Sequence, residues 1–560
     1  MNSPNPALIS QDAVKRLPRV ALLLFCAAYV LPGLFGRDPW RNEDLTAFAY
    51  MLKMAQGQTS WLAPTVGGLE LHTALLPHWL GAGFIIMLSP WLDPPLAARL
   101  LFAGLLTLTL VLTWYTTFQL GLTDAAQPLP FAFGGEAHRV DYARAIADGA
   151  LLALVASLGL LQLGHETTPE LVQLNAVSLY LWGLSAVPRH RRAGRAAVLV
   201  ALPALSASGA PAMALAMGSW GVIVHLQHRL DPGLQRFWVW GLVATAVSVL
   251  AGVLAHGWAS RWGFSPTWLQ LTQLARLYAW FLWPAWTLAL WTLWRWRWQL
   301  MQRHLSIPLG VAAVSLLACS VMGGSDRALM LALPPVAVLA AFALPTFQRS
   351  TAAAIDWFSV FFFTGCAIFI WVMYSAMQTG IPARPAANIA KLALGFKPSF
   401  SLPRLLIAIA GTLAWLWLVR WRTGRHREAV WKSLVLPASG VALCWLLAMT
   451  LWLPALDYAR SLRPWVARIA RHVAPGACIA TAGIPRSQVA ALEVHGHYQV
   501  DATPGAEQRK CAVLLLPARA PAPQGWKLIA RERRPTEREE TTAVYRRSEA
   551  AGATPSSEGH

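Results

Sequence analysis

Two adjacent carboxylates, Glu43 and Asp44, follow Arg37-Asp38-Pro39-Trp40 and head a helix-like stretch that runs to Met54. A carboxylate beside an acceptor hydroxyl can take its proton or orient it for attack, which is the work of a general base. The plainer reading is electrostatic, because acidic side chains in a first helical turn are favoured by the helix dipole. On a helix the two side chains point about 100° apart, so only one of them can serve as the base. Other charged groups stand at the ends of apolar runs. Arg327 closes Gly323-Gly324-Ser325-Asp326-Arg327, Arg261 lies in the segment 257–276, and Lys391 and Lys397 lie in 378–402. Their ordinary use is to reach lipid headgroups. Glu166 and Glu170 belong to His165-Glu166-Thr167-Thr168-Pro169-Glu170, where a carboxylate just after Pro169 also suits a helix start. Glu70 and His72 are a weak metal pair, two ligands where a site needs more.

Several chemistries lack their usual sequence support. No CxxC, HExxH, Walker loop or GxSxG occurs, which argues against a nucleotide-hydrolysing pump, a zinc peptidase and a serine hydrolase. Four of the six cysteines, Cys26, Cys319, Cys366 and Cys444, lie in apolar runs and pack as small hydrophobes. Cys478 and Cys511 each adjoin an expected strand, and an oxidising compartment would join them in a disulfide.

The elements that carry these residues are membrane spans. The chain of 560 residues is 56% hydrophobic and 13% charged, with 29 tryptophans, whereas soluble proteins average roughly a quarter charged. Its formal charge of +20 must sit in loops and tails, since a charge at the bilayer centre costs about 2.5 kcal/mol or more. The excess therefore speaks for orientation in a membrane and not for nucleic acid; most of the tryptophans lie within or at the ends of apolar runs, as interface anchors do. Apolar runs occur at 18–36, 73–93, 97–121, 146–164, 171–187, 196–209, 211–227, 237–256, 277–294, 306–322, 328–345, 355–377, 403–419 and 433–453. The run 73–93 carries Pro77 and His78, which suits a helix lying at the interface. With that helix flat, thirteen spans remain. The clusters Arg189/Arg191/Arg192/Arg195, Arg295/Arg297/Arg303 and Arg420/Arg422/Arg425/Arg427/Lys432 then fall on one side with Lys15, Arg16 and Arg19, as the positive-inside rule requires.

The expected organisation is an all-α polytopic domain over 1–455, with a first outer loop at 37–96. A small α/β domain over 456–548 follows outside the membrane, and 549–560 forms a disordered tail. Strand-like runs at 477–481, 491–500, 511–516, 526–531 and 542–546 supply the sheet. The N-terminus is expected in the cytoplasm and the C-terminal domain in the periplasm of a bacterial inner membrane.

Three stretches carry a family resemblance. Trp40-x-x-Glu43-Asp44, a short amphipathic helix, Gly57, Trp61-Leu62-x-Pro64 and His78-Trp79-Leu80-Gly81-Ala82 resemble the first periplasmic loop of integral-membrane GT-C glycosyltransferases. Within that superfamily they are similar to bacterial lipid A aminoarabinose transferases and to protein O-mannosyltransferase-like enzymes. Asp326-Arg327-x5-Leu333-Pro334-Pro335 resembles the family's basic residue ahead of an apolar helix. Leu453-Pro454-x-Leu456-Asp457-x3-Ser461-x-Arg463-Pro464 resembles the lead into its C-terminal domain.

The resemblance implies transfer of a sugar from a polyprenyl-phosphate carrier of the undecaprenyl type. The acceptor is a hydroxyl or phosphate on a lipid such as lipid A, a glycan or a protein, and one displacement inverts the anomeric carbon. The family's acidic pair is Asp-Glu, and here the order is reversed: Glu43 takes the base position by count, while Asp44 keeps the aspartate side chain. Where the family has Glu-Lys-Pro-Pro, this chain has His72-Thr73-Ala74-Leu75, so the phosphate-binding lysine is gone. Arg327, then Arg261 and His72, are the expected phosphate ligands. Glu170 and Glu166 are expected near the substrates, Lys391 and Lys397 over the lipid, and a divalent metal is a candidate cofactor at Glu70 and His72. The alternatives are a lipid or sugar transporter or flippase, which the absence of visible internal repeats disfavours, and a non-catalytic membrane scaffold.

Overall fold

The structure, a computed structural model, describes residues 7, 9–40, 42–71, 73–228, 234–255, 257–258, 263–265, 267–347, 349–423, 429–508, 511–521, 523–537 and 540–548. A helical bundle carries a five-stranded sheet domain at its C-terminal end. Among the described residues, seven helices are long and apolar enough to cross a bilayer: Pro94–Gly121, Phe237–Leu254, Arg303–Val321, Asp326–Thr346, Ser350–Thr379, Leu402–Arg422 and Val430–Leu451. Asp326–Thr346 is wholly enclosed by protein, whereas Leu402–Arg422 is almost entirely exposed and turns Leu406, Leu413 and Trp417 outward. In a bilayer, lipid covers such a face.

Length and composition thus give fewer crossing helices than the thirteen spans expected, and the reasons are local. The run 277–294 breaks at Trp283-Pro284 into Trp268–Phe281 and Ala285–Arg295, because proline supplies no N–H to the helix. Arg139–Ala156 carries Arg139, Asp141, Arg144 and Asp148. The helix within 73–93 is Leu75–Leu88, 14 residues, which at about 1.5 Å per residue is roughly 21 Å and short of the ~30 Å hydrocarbon core.

The C-terminal sheet has the order Gln499–Asp501, Cys478–Thr481, Val513–Pro517, Thr541–Arg547, Trp526–Arg533. The first three strands are parallel and the last two pair antiparallel. One expected strand, 491–500, is mostly helix: Arg486–Gly496 buries Val489 and Leu492, three apart on one face, and ends at His497 with φ 52°, leaving only Gln499–Asp501 extended. Apolar residues at helical spacing in a run of Ala490, Ala491 and Leu492 outweigh the strand pattern there. The expected tail 549–560 lies outside the described residues.

The domain docks on the first loop. A tight hairpin pairs Val66 with Leu69 across Gly67 (φ +57°) and Gly68 (φ +74°), a turn whose two central residues both need positive φ. The Gly67 carbonyl accepts from Ala502 N at 2.8 Å, and Lys53 meets Glu493 at 3.0 Å.

Cys478 and Cys511 are joined in a disulfide with Cα atoms 5.0 Å apart, closing a loop over a sequence separation of 33. Replacing both by serine should lower the domain's unfolding free energy by about 2–4 kcal/mol. Denaturant unfolding of the full-length protein, followed by proteolysis of the C-terminal domain, measures it; an unchanged midpoint would remove the bridge's stabilising role.

Candidate functional site

The loop helix Glu43–Ala55 is wedged between bundle and sheet domain, and its sequence divides into three stripes. Ala47, Phe48 and Met51 join the bundle core, while Leu45, Ala49 and Tyr50 join the core of the sheet domain with Trp465, Ile469 and Leu492. Glu43, Thr46, Ala47 and Tyr50, at the i, i+3, i+4, i+7 spacing of one helical face, line an open polar cavity of about 920 Å³. The two carboxylates therefore face different surroundings.

Asp44 is 1% exposed and fully engaged. One carboxylate oxygen accepts from the Thr167 backbone N–H and hydroxyl, both at 2.7 Å, and the other from Trp40 N at 2.9 Å and Arg37 Nη2 at 3.5 Å. Arg37 is itself buried, donates to the His165 carbonyl at 2.7 Å and stacks 4.6 Å from the Trp40 ring centre. Such bonding makes Asp44 a tie between three chain segments. Glu43 is exposed on the cavity wall, where a substrate hydroxyl could reach it.

Across the cavity, Arg327 Nη2 donates to Glu166 Oε2 at 2.7 Å, and Nη1 lies 3.5 Å from Glu170. Gln162 donates to the other Glu166 oxygen at 2.9 Å. Burial, with Asp44 adding to it, pushes the Glu166 carboxyl above its ordinary range against the pull of Arg327. Arg327, expected to meet a donor phosphate, thus spends its charge on two glutamates. Glu166 and Glu170 already meet both terminal nitrogens of that guanidinium, where a phosphate would have to bind. His78 is buried against the Ala74 carbonyl at 2.7 Å, and burial lowers it to about 4, so it is neutral near pH 7.

The structure brings Glu43, Glu166, Glu170 and Arg327 into one cavity. Asp44 sits behind the wall, and Glu70, Lys391 and Lys397 are exposed and do not line it. His72 and Arg261 lie outside the described residues. No group of three His, Cys, Asp or Glu side chains that could hold a metal ion occurs among the described residues. Arg460 and Arg486, which the sequence reading passed over, also line the cavity. Arg486 opens the sheet-domain helix and donates to the Glu70 carbonyl at 3.5 Å. Nothing in its local sequence signals that role, because only the docking of the domain places it.

Two apolar grooves open off the cavity. One, of about 670 Å³ between helices Arg349–Thr379 and Val435–Leu451, shares Trp40, Gln162 and Arg460 with it. A separate apolar pocket of about 240 Å³, which reaches Ala354 and Leu434, shares Leu158, Phe362 and Phe363 with the lining of this groove. Along its helix the groove runs from Ile370 to Phe362, about 12 Å at the helical rise of roughly 1.5 Å per residue. The other, of about 460 Å³, shares Glu170, Gln173 and Arg327 and follows the helix Arg303–Val321 from Met322 to Val314, also about 12 Å.

The split between the carboxylates is measurable in stability. Asp44→Ala leaves Arg37 buried without its counter-charge and should cost about 3–5 kcal/mol. Glu43→Gln, exposed, should change stability by less than about 0.5 kcal/mol. Thermal unfolding of the two variants checks it, and equal losses would contradict the division.

No family model and no curated protein matches the sequence. Solved structures do match. ArnT from Cupriavidus metallidurans bound to undecaprenyl phosphate superposes with a TM-score of 0.58 at 13% identity, over 94% of this chain and 96% of that one. ArnT from Cupriavidus metallidurans in the apo state gives a TM-score of 0.56 at 15% identity, over 94% and 96%. Over nearly its whole length, then, the chain is a helical multi-pass membrane protein with the fold of ArnT, the architecture that its loop motifs led one to expect.

Proposed function

We propose that the protein is a glycosyltransferase that moves a sugar from a polyprenyl-phosphate donor to an acceptor hydroxyl at the outer face of the membrane. The observation that carries this reading is the cavity itself: an accessible carboxylate, Glu43, faces a polar chamber into which two apolar grooves open. A lipid-linked sugar needs such a place, with its tail in hydrocarbon and its head in water. The fold adds support, since the ArnT structure that superposes on this chain was solved with undecaprenyl phosphate bound.

In this reaction the acceptor oxygen attacks the anomeric carbon from the face opposite the phosphate. The bond from that carbon to the phosphate oxygen breaks, and its electron pair stays on the phosphate. The acceptor proton passes to Glu43. Configuration inverts because one displacement occurs. Thr167 and Trp40 hold Asp44, and Asp44 in turn fixes the helix end from which Glu43 projects. The paired Arg327, Glu166 and Glu170 form the opposite wall, suited to hydroxyl groups of a sugar, which can accept from the guanidinium and donate to the carboxylates. The acceptor is a lipid, glycan or protein bearing such a hydroxyl.

Glu43→Gln should lower turnover by about 10²- to 10⁴-fold while leaving donor affinity nearly unchanged, because it removes the base and keeps the shape. Release of polyprenyl phosphate from a prenyl-phosphate sugar, assayed with purified protein and an outer-membrane lipid extract, measures it. Undiminished turnover in Glu43→Gln would discard the catalytic reading of this loop.

A further inference from the structure

One wall of the polar cavity has no part in the displacement described above. Pro485, Arg486 and Ser487, from the sheet domain, line it, and none of the three lines either apolar groove. They stand away from the lipid tails. Tyr50 joins this wall to Glu43: its hydroxyl lies beside Arg486, and it follows Glu43 by two turns on the cavity face of the loop helix, about 10 Å at roughly 1.5 Å per residue.

The charge of Arg486 is unmatched. The side chain is exposed, and its partners are uncharged: the Glu70 carbonyl at 3.5 Å and the hydroxyl of Tyr50, which itself donates to the Leu69 carbonyl at 3.0 Å. Among the described residues no carboxylate pairs with it, in contrast to Arg327. Arg486 also opens an 11-residue helix, Arg486–Gly496, that has no side-chain cap. The Pro485 carbonyl accepts from Gln488 N and Val489 N, so the N–H groups left over at this helix start belong to Arg486 and Ser487. Such a start favours an anion through its N–H groups and its dipole. A second observation points the same way. Ser487 is 7% exposed, lines the cavity, and its hydroxyl has no hydrogen-bond partner among the described residues. A hydroxyl so enclosed is costly unless a ligand or water bonds it.

We propose that Arg486, the Ser487 hydroxyl and the start of the helix Arg486–Gly496 hold an anionic group of the acceptor, a phosphate or a carboxylate. The inference rests on the function proposed above. An oxyanion accepts from a guanidinium, a hydroxyl and backbone N–H groups at once. The donor's own phosphate is a poorer occupant, because it stands where a prenyl tail leaves a groove, and neither groove reaches this wall. The acceptor then presents its reacting hydroxyl at Glu43 and carries an acidic group about 10 Å away.

Two measurements on the purified full-length protein test this. Inorganic phosphate, titrated and followed by the broadening of its phosphorus NMR line, should bind Arg486→Gln about ten- to a hundredfold more weakly than wild type, with Arg486→Lys between them. Ser487→Ala, which keeps the arginine, should weaken it about two- to tenfold, so a folding defect in one variant does not decide the matter. In the polyprenyl phosphate release assay with outer-membrane lipid extract, Arg486→Gln should raise the KM of the acceptor and leave that of the prenyl-phosphate sugar nearly unchanged. Equal phosphate affinity in wild type, Arg486→Gln and Ser487→Ala overturns the inference, as does failure of wild type to bind phosphate. A rise in KM confined to the donor overturns it too and assigns this wall to the donor phosphate. Absence of turnover in wild type, with phosphate still bound through Arg486, would overturn the transferase reading and leave the anion seat in place.

Discussion

A single buried carboxylate, Asp44, holds the arrangement together. Taking a carboxylate out of water is costly unless hydrogen bonds and a counter-charge replace the solvent. Asp44 finds them in two separate pieces of chain: Arg37 and Trp40 before the loop helix, and Thr167 from the segment between two bundle helices. Its location and the registration of the helix are therefore one problem. With Asp44 turned into the protein, the next residue back, Glu43, is rotated onto the cavity face, and Tyr50 follows two turns later on that face.

A bilayer imposes the second constraint, because charge is tolerated only where protein or water surrounds it. Carboxylates and guanidiniums collect in the polar chamber, and the helices beneath it supply hydrocarbon walls. Within the chamber the charges are not interchangeable. Arg327 is a clamp that holds Glu166 and Glu170, while Arg460 is braced by an aromatic ring. A substrate meeting these two arginines meets different chemistry at each. The sheet domain matters for the same reason: Leu45, Ala49 and Tyr50 of the loop helix belong to its core, so the helix that carries Glu43 is clasped from both sides.

Much of this was legible beforehand. The apolar runs, the C-terminal α/β sheet domain and the Cys478–Cys511 pair follow from composition and local pattern, and Trp40 with Glu43 and Asp44 marked the loop. What local pattern left open was which carboxylate turns inward, since both suit a first helical turn and part of what holds Asp44 is Thr167, 123 residues away. The partner of Arg327 was hidden for a like reason: Glu166 lies 161 residues off in sequence. Arg460 sat inside a recognised stretch but looked like one more basic residue after a span. Its meaning comes from a ring 420 positions earlier that no spacing rule could connect. The helix at Arg486–Gly496 shows the opposite failing, where a short apolar run suited either period and packing chose.

An experimental structure of the protein with undecaprenyl phosphate bound examines the account most directly. The account predicts the phosphate in the polar chamber that Glu43 faces, with its chain in one of the two apolar grooves that adjoin it. A phosphate bound outside that chamber, or a Glu43 turned away from it, would contradict the account.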